Sequence, residues 1–124
     1  MKNYIKQLFV IAIFLLFVSN AFADYTGPGK IKDLAFGSGG VSVTLDVNGA
    51  TKDAFPDQGC GHHYEATLNL EHDNYNAIVA SLLSNKLTGD LVRIWVEGCS
   101  EFRTNTAKII AVRDGEYPFT HYPQ

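Results

Sequence analysis

The chain has 124 residues, 46% of them hydrophobic and 19% charged, with a formal net charge of −3. This is an ordinary globular composition, so a collagen-like, coiled-coil or wholly disordered protein is excluded. The length leaves room for one domain and excludes a Rossmann enzyme, a TIM barrel or a kinase.

Met1, Lys2 and Lys6 begin a positively charged N-terminus, and Leu8 to Val18 is an unbroken apolar run. Ala21-Phe22-Ala23 then supplies small residues where a signal peptidase needs them, so residues 1–23 read as a cleaved signal peptide. The run is too short to cross a hydrocarbon core of about 30 Å as a helix, and stable membrane insertion is not expected. The expectation is an exported chain, periplasmic or secreted, that begins at Asp24. Without residues 1–23 it keeps eight Lys and Arg against thirteen Asp and Glu, a net charge of −5. Nucleic-acid binding is disfavoured, because affinity for a phosphate backbone comes from basic residues that release counterions.

Gly29 to Phe36 reads as a first strand and Gly37-Ser38-Gly39-Gly40 as a hairpin connection. Val41, Val43, Leu45 and Val47 alternate with Ser42, Thr44 and Asp46, a second strand with one buried face. Ala50 to Gly61 has no periodicity and contains Pro56, so a long loop is predicted, of the length that is often functional. Tyr64, Ala66, Leu68 and Leu70 alternate with polar residues and form a third strand. Tyr75, Ile78, Val79, Leu82 and Leu83 then lie at helical spacing on one stripe. Asp73 or Asn74 is placed to cap that helix, and Gly89 to end it. Leu91 to Glu97 and Thr106 to Arg113 are a fourth and a fifth strand, joined by a loop over Gly98 to Asn105. Residues 24–114 make a single domain, and 115–124 an irregular tail.

Three strands, a helix and two strands fit a mostly β fold, a five-stranded antiparallel OB-like barrel with the helix closing one end. An open α+β sandwich uses the same elements. Cys60 and Cys99 are the only cysteines, and in an oxidising compartment they predict one disulfide. Closing a loop of about 40 residues stabilises by roughly 4 kcal/mol in the chain-entropy model. No redox motif is present, and two cysteines alone do not make a zinc site.

The segment from Cys60 through the helix to Leu-Val-Arg-Ile-Trp-Val-Glu-Gly-Cys and Thr-Ala-Lys-Ile-Ile-Ala-Val resembles small secreted bacterial OB-fold proteins. Among them is the receptor-binding B subunit of subtilase-type AB5 toxins. The resemblance covers about Lys30 to Arg113. It implies an OB barrel, a homo-oligomer that would be a pentameric ring, and binding to cell-surface glycans, with a catalytic A subunit as partner. Of its residues only the disulfide framework, Cys60 and Cys99, carries over.

No catalytic residue, metal ligand or cofactor is predicted. His62 and His63 point to opposite faces of a strand, and His72 lies near its far end, so the three do not converge. Ser42 with Asp46, and Glu97 with Glu101, read more simply as surface polarity than as acid–base groups, and no G-x-S-x-G elbow is present. If Val92, Ile94 and Val96 face inward, Arg93 and Trp95 face out. Trp95 then needs a cover, either the aromatic tail or a sugar ring or neighbouring subunit. Phe102 and Arg103 lie in one of the loops that OB folds use for ligands, and Phe102 either folds over the disulfide or faces a ligand. Arg93, Trp95, Phe102 and Arg103 together are the candidate ligand-binding patch. The expected function is a secreted, non-catalytic module for glycans or a cell surface. The alternative is a monomeric periplasmic interaction or inhibitor protein that holds a protein partner through the 50–61 loop.

Overall fold

The computed structural model describes residues 23–114. The expected signal peptide, apart from Ala23, and the tail 115–124 lie outside the described residues. Six strands and one helix follow in the order β1 Asp24–Tyr25, β2 Lys30–Gly37, β3 Gly40–Asp46, β4 Glu65–Asn69, α1 Tyr75–Thr88, β5 Val92–Cys99 and β6 Ala107–Asp114. They form one sheet, ordered β1-β5-β6-β4-β3-β2 and not closed.

Alternation in the sequence decides which face is buried. Val41, Val43 and Leu45 of β3 are fully inaccessible, as are Val92, Ile94 and Val96 of β5. Ile78 and Leu82 of α1 pack into the same core, with Tyr75 and Val79 beside them. Leu83, expected on that stripe, is 41% exposed. The helix stops at Gly89, which takes a left-handed φ of 75° and donates its N–H to the Asn85 carbonyl. At the other end neither expected cap acts: the Asn74 side chain makes no capping bond. The Nδ1 atom of His72 instead accepts the Asn74 N–H at 3.0 Å, while its Nε2–H donates to the Ile110 carbonyl at 3.0 Å. That pair of bonds ties the start of α1 to β6.

Two features correct the expected five antiparallel strands. The two-residue β1 adds a sixth, and β4 and β6 run parallel, with Ala66 opposite Ala107 and Thr67 opposite Lys108. A strand so short has no periodicity to read, and the parallel pair is made possible by the α1 crossover and β5 between its members. Thr26 and Gly29 donate to the Ile94 and Val92 carbonyls of β5, and Lys30 then pairs with Asp46 of β3. The chain therefore changes neighbours at Gly29. A Cβ there would lie 2.7 Å from the Asp46 carbonyl oxygen and 2.9 Å from the Leu45 side chain, so this crossing of backbones requires glycine.

The 50–61 loop is not a free excursion. Ala54 and Phe55 enter the core, Phe55 at 2% exposure, and the Phe55 N–H donates to the His63 carbonyl. Cys60 and Cys99 are joined, their Cα atoms 5.6 Å apart. Cys99, which the sequence places in the loop after the fourth strand, ends β5, and Cys60 lies ahead of β4. Beside the disulfide the Gly98 N–H donates to Gln58 Oε1 at 3.0 Å.

Candidate functional site

The loop between β5 and β6 folds back over the outer face of β3 and β4. Side chains at positions that alternation leaves outside the core hold it there. Thr67 Oγ1 and Thr106 Oγ1 lie 2.7 Å apart, and both residues are almost wholly buried although neither is apolar. The Ser100 hydroxyl donates to Asn69 Oδ1 at 2.6 Å and accepts the N–H groups of Phe102 and Arg103. Arg103 donates through Nη1 to Ser42 Oγ at 3.0 Å, and the same nitrogen is 2.9 Å from Glu65 Oε2. The latter approach is an ion pair rather than an aligned hydrogen bond. The Arg103 carbonyl in turn accepts the Thr106 hydroxyl and N–H. Donors and acceptors so closely matched leave the loop few alternative conformations.

Arg103 is thus spent within the protein, while Phe102, its neighbour, is 55% exposed and lies against Gly39 of the β2–β3 hairpin. A Cβ on Gly39 would run into the Phe102 ring, so glycine is what lets the ring pack against the hairpin. The ring packs on the hairpin with one side open.

Phe102, Ser38, Gly39, Asn69, Glu71 and Glu101, with the exposed Leu70, surround a cleft of about 340 Å³ between the hairpin and the β5–β6 loop. A second hollow shares Asn69, Glu71 and Glu101 with it and continues past His72 and Lys108 to Ile110. Glu101 makes two side-chain hydrogen bonds in this groove. Its Oε2 accepts from Asn69 Nδ2 at 2.6 Å and its Oε1 from Lys108 Nζ at 3.2 Å. Its own backbone N–H, then Lys108, hold its carboxyl below the usual carboxylate range, with Asn69 adding to them and desolvation opposing.

Arg93 and Trp95 belong to a different place on the same outer face. The Trp95 ring lies 5.3 Å from Tyr25 of β1, and the Arg113 guanidinium is 5.4 Å from its centre. Arg93 sits 5.9 Å from the Tyr25 ring. Part of the cover expected for Trp95 therefore comes from the N-terminal strand, and the aromatic tail lies outside the described residues. Between Trp95 on β5 and the Arg103 guanidinium on β3 and β4 stands β6. Of the four residues expected in one patch, Arg93 and Trp95 lie with Tyr25 and Arg113, and Phe102 and Arg103 with Gly39, Ser42 and Glu65.

Ser42 bonds Arg103 and Thr67 rather than a histidine. The His62 ring lies 4.8 Å from the Tyr64 ring, tilted by 50°. Among the described residues no three His, Cys, Asp or Glu side chains converge as metal ligands. Sequence reasoning passed over Asn69, Glu71 and Ser100, because a polar residue at a strand end or in a loop gives no signal until its partner is known. Comparison with known proteins finds neither a family model nor a curated sequence that matches the chain.

Proposed function

We propose that the protein is an exported, non-catalytic binding module that recognises carbohydrate at a cell surface, and that the groove beside Phe102 is its binding site. The observation that carries this reading is a half-exposed aromatic ring presented on a hydrogen-bonded loop beside a cleft of mixed lining, where Leu70 adds a second apolar surface and Ser38, Asn69, Glu71 and Glu101 the polar groups. An aromatic face stacks on the C–H side of a sugar, while fixed amide and carboxylate groups select among hydroxyls. Preorganisation matters here, since a shallow site has little surplus energy to order its own loops.

The wider reading is a fold of the OB type, assembled as the B subunits of subtilase-type AB5 toxins are. The strand order β2-β3-β4-β6-β5, the parallel β4–β6 pair and the change of neighbours at Gly29 support an OB-like barrel. Glycan binding through five weak sites on a pentamer would gain avidity. The alternative, a protein partner held by the 50–61 loop, is less well supported, because Phe55, Gln58 and Cys60 tie that loop down and leave little of it to adapt.

The test is a glycan array probed with the oxidised chain from Asp24 to Gln124, beside the same chain carrying Phe102→Ala. Light scattering fixes the subunit number in the same preparation. The expected result is binding to a defined set of glycans, reduced at least tenfold by Phe102→Ala. An array with no binders, or binding that ignores the substitution, overturns the proposal.

A further inference from the structure

The turn that follows β3 carries a chemistry independent of the groove. We infer that Asn48 is a site of spontaneous covalent modification, where the backbone nitrogen of Gly49 displaces the side-chain amide and the residue becomes isoaspartate.

Asparagine is thermolabile, and its surroundings decide how fast it reacts. Asn48 and Gly49 are the central residues of a tight turn, with φ of 55° and 85°, and both are exposed. Left-handed values at both positions mark a type I′ turn, for which Asn-Gly is the favoured pair. Val47 and Ala50 close it through two backbone hydrogen bonds, at 2.9 and 3.2 Å, as a bridge outside the strands. Neither the Asn48 side chain nor the Gly49 N–H makes a hydrogen bond among the described residues. A Cβ on Gly49 would meet nothing within 4 Å, so nothing shields its nitrogen.

The other described asparagines lack this combination. After Asn69, Asn74 and Asn105 the next N–H is bonded, to the carbonyls of Gly39, His72 and Arg103. Asn76 and Asn85 lie within α1. For the Gly49 nitrogen to reach Asn48 Cγ the peptide between them must turn. That motion breaks the isolated Val47–Ala50 bridge and spares the β3 ladder, which ends at Asp46.

Water is the one co-reactant. The Gly49 nitrogen bonds to Asn48 Cγ, its proton passes through solvent to the departing amide nitrogen, and ammonia leaves. The succinimide ring so formed takes up a water and opens at either carbonyl, giving aspartate or isoaspartate. Isoaspartate puts an extra carbon into the main chain of the turn and adds a negative charge. The same stretch abuts the chain crossing, where a Cβ on Gly29 would lie 2.7 Å from the Asp46 carbonyl oxygen and 2.9 Å from the Val47 side chain. A longer turn therefore loosens the contact between β3 and the crossing.

The test holds the oxidised chain from Asp24 to Gln124 in warm, mildly alkaline buffer. Its peptides are then mapped by mass spectrometry, with fragmentation that separates aspartate from isoaspartate. Asn48 is expected to convert at least tenfold faster than any other asparagine, faster as pH rises, with isoaspartate the larger product. The converted fraction, separated by anion exchange, is expected to melt at a lower temperature than the parent. Gly49→Ala, checked for folding by circular dichroism, is expected to slow conversion at least tenfold. Conversion no faster at Asn48 than elsewhere, aspartate as the sole product, or undiminished conversion in Gly49→Ala overturns the inference. Should that variant not fold, the comparison among asparagines of the parent chain decides alone. A converted fraction that melts with the parent overturns the loosening at the crossing.

Discussion

Replacing Phe55 by Ala tests the claim that the 50–61 loop is part of the core. The side chain is 2% exposed, and an aromatic ring buries about 150 Å² or more. At about 25 cal/mol per Å² the transfer contribution is near 4 kcal/mol, and a compact denatured state lowers it to about 3. The unfilled cavity raises it again, into the 3–5 kcal/mol range typical of Phe→Ala in a core. A domain of this size is stable by only about 5–15 kcal/mol, so the loss is a large fraction of the whole. In urea, with a slope of about 1.5 kcal/mol per M, the midpoint should fall by about 2–3 M at unchanged slope. Phe55→Leu, which keeps most of the apolar volume, should lose less than half as much. A loss below about 1 kcal/mol for Phe55→Ala would show that the ring is not a structural anchor and that the loop opens independently of the sheet.

Gly40→Ala should destabilise by about 3 kcal/mol or more, because its φ is 152° and a Cβ would run into the Leu68 carbonyl; urea melts of the purified variant measure it. Removing the disulfide with the double substitution Cys60→Ser and Cys99→Ser should cost about 4 kcal/mol, as expected for a sequence separation of 39. The folded variant should keep its circular dichroism spectrum, since the Gln58–Gly98 bond spans the same gap. Glu101 titrates lower when folded than unfolded, so its contribution is present above the unfolded value and disappears as pH falls through the folded one. The melting-temperature difference between the parent and Glu101→Gln should therefore be largest near neutrality and close in acid. A difference that stayed constant down to strongly acidic pH would contradict the ion pair with Lys108.

The strands and the helix were legible because their patterns are local. Val41, Val43 and Leu45, or Val92, Ile94 and Val96, announce a half-buried strand at period two, and Gly89 announces a helix end through its backbone freedom. The disulfide was equally legible, since two cysteines admit only one intramolecular pairing. What tertiary structure alone decided is where distant segments meet. That β4 lies parallel to β6, that Asp24 to Gly29 adds itself to β5, and that Phe55 belongs to the core are long-range pairings, whose reward appears only after the intervening chain has closed. The site follows the same division. Phe102 and Arg103 are adjacent in sequence and were read as one unit, yet the partners Ser42 and Glu65 draw Arg103 to the sheet, while Gly39 leaves Phe102 on the surface. Composition and alternation determine which residues face inward; the partner a polar side chain finds, and hence whether it is free to bind a ligand, depends on atoms contributed from elsewhere in the chain.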